Sequence, residues 1–391
     1  MKVSDTKIHI ISFDIPYPPN YGGVIDVFYK IKELQKRGIG VILHCYEYGR
    51  ERSEELLEIC SEVHYYPRKL GRQNLFKKNP YIVVSRNSDE LLQRLVQDDF
   101  PIVFEGLHSC YYLSHDALAD RLKIVRTHNI EHDYYRNLAE AESSIFKRYY
   151  FYNEANKLER FEHVLEHADH IACISKPDQA YFDRKYGKTT LVSAFHPFGE
   201  VETSSHVEEQ AVYHGNLSVP ENNKAAIWLV QEVFNDLNIP LVIAGNDPSA
   251  ELIQAVKEHP HISLQANCTT SEIHELVRNA KINVLPTFQA TGIKLKLLAA
   301  LYMGQFCVVN TPMIQDTGLE RLCHVADTPE EMKRTLRELF VQDYTENNFR
   351  SEVLNTCFTN ERSSEALMSL LFEDQPQHHL HISEYAKEIC E

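Results

Sequence analysis

Short β-rich apolar runs alternate with helical stretches along nearly the whole chain. In the first half IHIISF (8–13), VILHCY (41–46), IVFEG (102–106), KIVRT (123–127) and HIACIS (170–175) are predicted strands. The segments between them carry a helical period. Over residues 24–37 the residues Val24, Val27, Phe28, Ile31 and Leu34 share one face, and Gly38 closes the helix. Asp26, on the same helix, reads as a solvated or capping carboxylate. Residues 146–168 read as a long, charged amphipathic helix.

Around residues 196–210 the period lapses into FHPFGEVETSSHVEEQ, polar and turn-rich, as expected of an interdomain linker. A second series of strands then follows, at AVYH (211–214), PLVIA (240–244), HISL (261–264), KINVL (281–285) and FCVV (306–309). Strand–helix alternation implies parallel sheets with right-handed crossovers, hence an α/β chain of two doubly wound, Rossmann-like domains. The expected boundaries are 1–197, 198–373 and a polar tail at 374–391, with a return of the last helices onto the first domain left open. In such sheets ligands bind at the carboxyl ends of the strands, so the chemistry is sought in the loops that follow them.

Composition narrows the classes. A chain of 391 residues is long enough for two domains with cores of their own, and a net charge of −16 argues against nucleic acid as a partner. Nine Cys are scattered without C-x-x-C spacing, which fits neither a disulfide framework nor a zinc ribbon and points to a reducing cytoplasm. No apolar run reaches the ~18 residues a membrane helix needs, and MKVSDTKIHIISFD enters a strand without a signal-peptide core.

HNIEH at 128–132 matches H-x-x-E-H, a zinc-peptidase pattern in which two His hold the metal. Zinc peptidases place it inside a helix, whereas KIVRT ends just before His128 and leaves that residue in a strand-end loop. His128 and Glu131 are therefore candidate catalytic side chains, His132 is expected to be structural, and no metal is assigned.

The first strand leads into DIPYPPNYGGVIDVF, where Gly22 and Gly23 would offer backbone N–H groups at a helix start, a geometry that suits phosphate or a plain turn. No G-x-G-x-x-G, P-loop or D-x-D pair is present, so a diphosphate would be met by Lys, Arg and amides and not by a carboxylate-held metal. LPTFQATGIKLKLLAALYMGQFCVVNTP supplies them: Gly292, Lys294 and Lys296 lie in a loop that opens an apolar helix. Two Lys at a helix N-terminus oppose its dipole unless an anion is bound there; the plain alternative is a pair of solvated Lys.

One surface segment departs from the acidic background. YYPRKLGRQNLFKKNP (65–80) carries Arg68, Lys69, Arg72, Lys77 and Lys78 among Leu70, Leu75 and Phe76, with no acid. Basic–apolar segments dock on anionic membranes, and the other reading is a solvated loop.

PYPPNYGGV (16–24), YHGNLSVPENNKAAIWLV (213–230) and TGIKLKLLAALYMGQFCVVNTP (291–312) resemble the metal-independent GT-B glycosyltransferases of family 4, as does THNIEHDYY (127–135) with the helix into HIACISKPDQAYF. The likeness runs through about residues 8–342. It implies two domains facing each other across a cleft and a retaining transfer of sugar from a nucleotide-diphosphate donor to a glycan or lipid-linked acceptor, without cofactor. By match, Gly22, Gly23, Gly215, Asn216, Lys224, Gly292, Lys294 and Lys296 would bind donor, and His128 would lie near the transferred sugar. The family's Glu pair, with seven residues between its members, is replaced by Thr291 and Ala299, which puts the ribose contact in doubt. A non-catalytic relative and a nucleotide-sugar epimerase are the alternatives. The place expected is the cytoplasm, at the inner face of a membrane if the basic segment docks.

Overall fold

The computed structural model describes residues 6–142, 144–202, 204, 206–288, 294–345 and 348–372. They form two units, the first comprising the chain to Pro197 together with the segment from Asn360, and the second Phe198–Thr359.

The first unit is built on a seven-stranded sheet, β1 (Lys7–Ser12), β2 (Gly40–Glu47), β3 (Glu62–Pro67), β4 (Ile102–Glu105), β5 (Lys123–Thr127), β6 (His170–Cys173) and β7 (Thr189–Leu191). Its order is β3-β2-β1-β4-β5-β6-β7, and every neighbouring pair is parallel. Ile8, Ile10, Ile11, Val103, Phe104, Ile124 and Val125 are all buried, as central strands covered by helices on both faces require. Helices used below are α1 (Gly22–Lys36), α2 (Glu131–Ala141), α3 (Ile145–Phe161) and α4 (Lys176–Tyr186). The stretch expected as a single helix over 146–168 is α3 followed by a 3-10 segment, Glu162–His167.

The second unit has a six-stranded sheet of β8 (Glu208–His214), β9 (Leu241–Gly245), β10 (Ile262–Ala266), β11 (Ala280–Leu285), β12 (Phe306–Val309) and β13 (His324–Val325). These run β10-β9-β8-β11-β12-β13, again parallel throughout. Helix α5 (Pro220–Trp228) follows β8, with Pro220 in the first turn where its missing N–H costs nothing. Helix α6 (Leu295–Met303) precedes β12 and is buried along most of its length.

The last described helix, α7 (Asn360–Leu371), belongs to the first unit and packs against α1. Asn360 exchanges two hydrogen bonds with the backbone of His196, at 2.9 and 2.8 Å, and Leu367, Met368 and Leu371 join the core that holds Ile8, Val27 and Ile31.

Both sheets reverse their winding direction at one place, between β1 and β4 in the first and between β8 and β11 in the second. At such a switch point the flanking loops diverge and leave a crevice at the strand ends, which positions the candidate sites.

Candidate active site

In the first unit the crevice is bordered by the loop after β1, the turn after β4 and the loop after β5. Gly22 and Gly23 open α1 as expected, and Tyr21 before them supplies no side-chain cap to the first amides. Gly23 also has a packing reason, because a Cβ there would come within 2.6 Å of Phe13 Cζ. The Phe13 ring meets His108 and His128 at centroid distances of 5.4 and 5.5 Å, and its carbonyl accepts from Arg86 Nε at 2.7 Å.

Asp26 is neither solvated nor a cap. Its carboxylate is buried and accepts from Arg126 Nε and Nη2 at 3.2 and 2.9 Å, from Lys30 Nζ at 3.0 Å and from the Phe195 amide at 2.9 Å. Burial alone would raise its pKa, but the cations of Arg126 and Lys30 hold it far below the usual carboxylate range. Lys30 Nζ reaches on to Glu105 Oε1 at 2.7 Å, and Glu105 Oε2 lies 3.1 Å from His128 Nε2. Asp26, Glu105 and His128 together offer ligand atoms within 4.8 Å of one another. The place between the two carboxylates is already taken by the Lys30 ammonium, so the set is an ion-pair chain and not an open cation cage. Polar side chains on the sheet-facing side of α1 are thus buried because Arg126 and Glu105 rise from β5 and β4 to meet them.

HNIEH is divided by the end of the strand loop. His128 turns to Glu105, whereas His132, inside α2, places Nδ1 3.2 Å from Glu162 Oε2 and Nε2 3.5 Å from the Tyr181 hydroxyl. The two rings face different carboxylates, and His132 has a structural place. Glu131 is buried at the first position of α2, and Oε1 lies 3.8 Å from His108 Nδ1 with no hydrogen-bond partner. Burial, with the nearby Asp178 carboxylate, pushes Glu131 up to about 8, and Asp178, in the first turn of α4, is itself raised to about 6 by burial. Glu131 is therefore an acid that holds its proton near neutrality.

In the second unit Gly215 ends β8 and approaches β9 so closely that a Cβ on Gly245 would stand 1.9 Å from the Gly215 carbonyl oxygen. Asn216 shapes the turn: its Oδ1 accepts from the Ser218 amide and hydroxyl, at 3.1 and 2.7 Å. Lys296 donates to Asn222 Oδ1 at 3.0 Å and sits 5.1 Å from the Tyr213 ring centroid. Lys294 Nζ lies 3.6 Å from Glu221 Oε1, and the Thr287 hydroxyl donates to the same oxygen. Both Lys therefore converge on the first turn of α5, whereas Lys224 turns aside to the Phe288 ring, 5.1 Å from its centroid. Burial, with Lys294 nearby, lowers Lys296 to about 8. Gly292 and Thr291 lie outside the described residues; Ala299 is 4% exposed among the apolar residues of the core, so α6 fills that position by packing.

Sequence reasoning missed Glu105, Lys30, Arg126, Glu221, Asn222 and Gly245. Glu221 and Asn222 stand inside the stretch 213–230 without being singled out there, the others stand in no motif, and each matters through a partner distant along the chain. Glu105 is the last residue but one of the predicted strand 102–106, and that position at the switch point was its one signal.

The basic segment divides. Arg68 is enclosed between the Tyr48 and Tyr81 rings and donates to Ser85 at 3.0 Å, and Lys69 is bonded to Asn87, so these two are structural. Arg72, Lys77 and Lys78 are exposed, beside Phe76 at 89%. Lys157 Nζ donates to the Leu75 carbonyl at 2.7 Å and Glu154 accepts from the Tyr81 amide, which ties α3 to this segment. The start of α3 exposes Ile145 (80%), Phe146 (88%) and Tyr149 (75%), alongside Lys147 and Arg148. Among the described residues no helix is long and apolar enough to cross a membrane.

Residues 208–342, nearly the whole second unit, match the family described as glycosyl transferases group 1. The chain is a GT-B fold glycosyltransferase. A 44.6 kDa protein of Klebsiella pneumoniae, described as uncharacterized and in the cps region, is 28% identical over 331 residues, covering 80% of this chain and 84% of that one. The fold of the enzyme is similar to that of a S. aureus TarM mutant in complex with Fondaparinux, alpha-GlcNAc-glycerol and UDP, with a TM-score of 0.61, 10% identity and coverage of 94% and 100%. It is similar also to Anabaena Alr3699/HepE in complex with UDP and glucose, with a TM-score of 0.57, 13% identity and coverage of 94% and 95%.

Proposed function

We propose that the enzyme moves a sugar from a nucleotide-diphosphate donor to a glycan or lipid-linked acceptor, with retention and without a metal, in surface-polysaccharide biosynthesis. The observation that carries the reading is the convergence of Lys294 and Lys296 on the first turn of α5 at the β8/β11 switch point. Preorganised cations and helix-end amides stabilise a departing diphosphate without the cost of reorganising at the moment of reaction. In the transfer the C1–O bond to the diphosphate breaks and the leaving group keeps the electron pair. The acceptor oxygen bonds to C1 on the same face, and its proton passes to the departing phosphate oxygen. Gly22, Gly23, Gly215, Asn216, Lys224 and Gly292 complete the donor contacts in this reading; His128 hydrogen-bonds the transferred sugar, and Glu131 is the second candidate catalytic side chain. The place of the relative in a cps region supports the polysaccharide setting.

A panel of nucleotide sugars tested by thermal shift names the donor, because a ligand that binds the folded state raises its melting temperature by mass action. The expected result is a shift with one nucleotide series, undiminished by EDTA and lost in Lys296→Ala. No shift with any donor, or turnover that requires an added metal, overturns the reading. The exposed Phe76, Ile145 and Phe146, with Arg72, Lys77, Lys78, Lys147 and Arg148, support docking on an anionic bilayer. Flotation with phosphatidylglycerol vesicles at low salt tests that part, and failure to float removes it.

A further inference from the structure

The ion-pair chain of the first unit ends on a ring whose two nitrogens differ. Glu105 is fully buried at the end of β4 and divides its oxygens between two neighbours, Oε1 to Lys30 Nζ at 2.7 Å and Oε2 to His128 Nε2 at 3.1 Å. Lys30 is itself fixed by Asp26 at 3.0 Å, with its ammonium 5.6 Å from the Phe195 ring centroid, so rotating Glu105 would take one of two carboxylates from a buried cation. Gly106 follows, with φ +66; a Cβ there would come 3.7 Å from His128 Cδ2, and Phe13 meets the ring edge-on. The imidazole is thus held on three sides, and Nδ1 makes no hydrogen bond among the described residues.

We propose that Glu105, anchored by Lys30, is a positioning residue that holds neutral His128 as the Nε2–H tautomer and turns the Nδ1 lone pair toward the crevice at the ends of β1 and β4. A carboxylate only accepts, so Nε2 must donate to it, and the other nitrogen is left as an acceptor. The ligand group this ring suits is a hydroxyl, which can donate to Nδ1, and not a phosphate oxygen, which cannot. The inference rests on the functional reading for what His128 touches, but not for which nitrogen carries the proton.

The test is a long-range proton–nitrogen correlation spectrum of histidine-labelled enzyme at pH 8.5, above the ordinary imidazole range, with His128 assigned by its loss in His128→Gln. Wild type is expected to show a protonated Nε2 and a bare Nδ1. In Glu105→Gln the Lys30 ammonium, a donor only, claims the amide oxygen, so the amide NH2 faces His128 and the ring takes the opposite tautomer. Turnover of that variant is expected to fall about tenfold with little change in KM, the size of one hydrogen bond to the sugar lost in the transition state. A proton on Nδ1 in wild type overturns the proposal without any variant, as does Glu105→Gln with an unchanged tautomer. Wild-type turnover in His128→Gln would instead remove the role of His128 in transfer and leave the tautomer assignment standing.

Discussion

Replacing Asp26 with Ala leaves Arg126 and Lys30 buried with Glu105 as the one remaining carboxylate of the chain. Removing one partner of a buried ion pair typically costs about 3–5 kcal/mol, because the orphaned charge stays desolvated. Arg126 would keep some support: Nη2 still donates to the Ser193 carbonyl at 3.1 Å and Nη1 to the carbonyls of Val192 and Cys173. The Phe195 amide would lose its acceptor. These retained bonds place the expected loss in the lower half, about 3–4 kcal/mol, or a fall of roughly two to three decades in amide protection at about 1.4 kcal/mol per decade. Hydrogen exchange resolved by peptide is the assay, since it reads each unit separately. Protection should fall in β1, β5 and α1 and hold in β8 and β9. A double-mutant cycle with Arg126→Met should give a coupling of about 1–3 kcal/mol. A loss of less than tenfold in β5 would show that the chain of charges is stabilised by its carbonyl partners and not by Asp26. Because the Asp26 pKa is depressed by folding, its contribution is complete above the unfolded value near 4 and is lost only as pH falls toward the far lower folded value. Protection in β5 should therefore hold constant from pH 7 to 5 after correction for intrinsic exchange.

Three further outcomes follow from other sites. With Lys296 lowered to about 8, donor affinity should weaken about tenfold between pH 7 and pH 9 as the cation is lost, and Lys296→Arg, which stays charged, should flatten that profile in calorimetric titration; a flat wild-type profile refutes it. Glu131, raised to about 8, binds more protons folded than unfolded between roughly pH 4.5 and 8, so stability should fall as pH rises through that window, and Glu131→Gln should reduce the slope in urea titrations at a series of pH values. Gly245→Ala, which drives a Cβ to 1.9 Å from a backbone oxygen, should cost about 3 kcal/mol or more, against about 1 kcal/mol for Gly49→Ala, where φ is +69 but no atom lies within 4 Å; equal midpoints for the two would refute the close approach.

The sheets were legible because their central strands are buried on both faces and read as continuous apolar runs: KIVRT and FCVV coincide with β5 and β12 to the residue. Strands β3, β7 and β13 were not. EVHYYP mixes polar and aromatic positions at a sheet edge, TTL is three residues long, and β13 is two. The candidate site was legible where it uses local backbone, as at Gly22, Gly23 and the loop of Lys294 and Lys296. It was illegible where a side chain acquires meaning from another element. Asp26 and Arg126 stand a hundred residues apart, and nothing in the helical period of α1 distinguishes a carboxylate awaiting a buried guanidinium from one facing water.

The return of α7 to the first unit makes that unit discontinuous along the chain. During synthesis β1 to β7 leave the ribosome long before the helix that covers α1, with all of β8 to β13 in between. Until then His196 lacks its clamp from Asn360, and the apolar surface destined for Leu367, Met368 and Leu371 stays open to water or to other chains. A fragment cut at Pro197 would preserve that immature state, so a separable first unit must be made by joining its two pieces, with the segment from Asn360 spliced after Pro197 in place of the second unit.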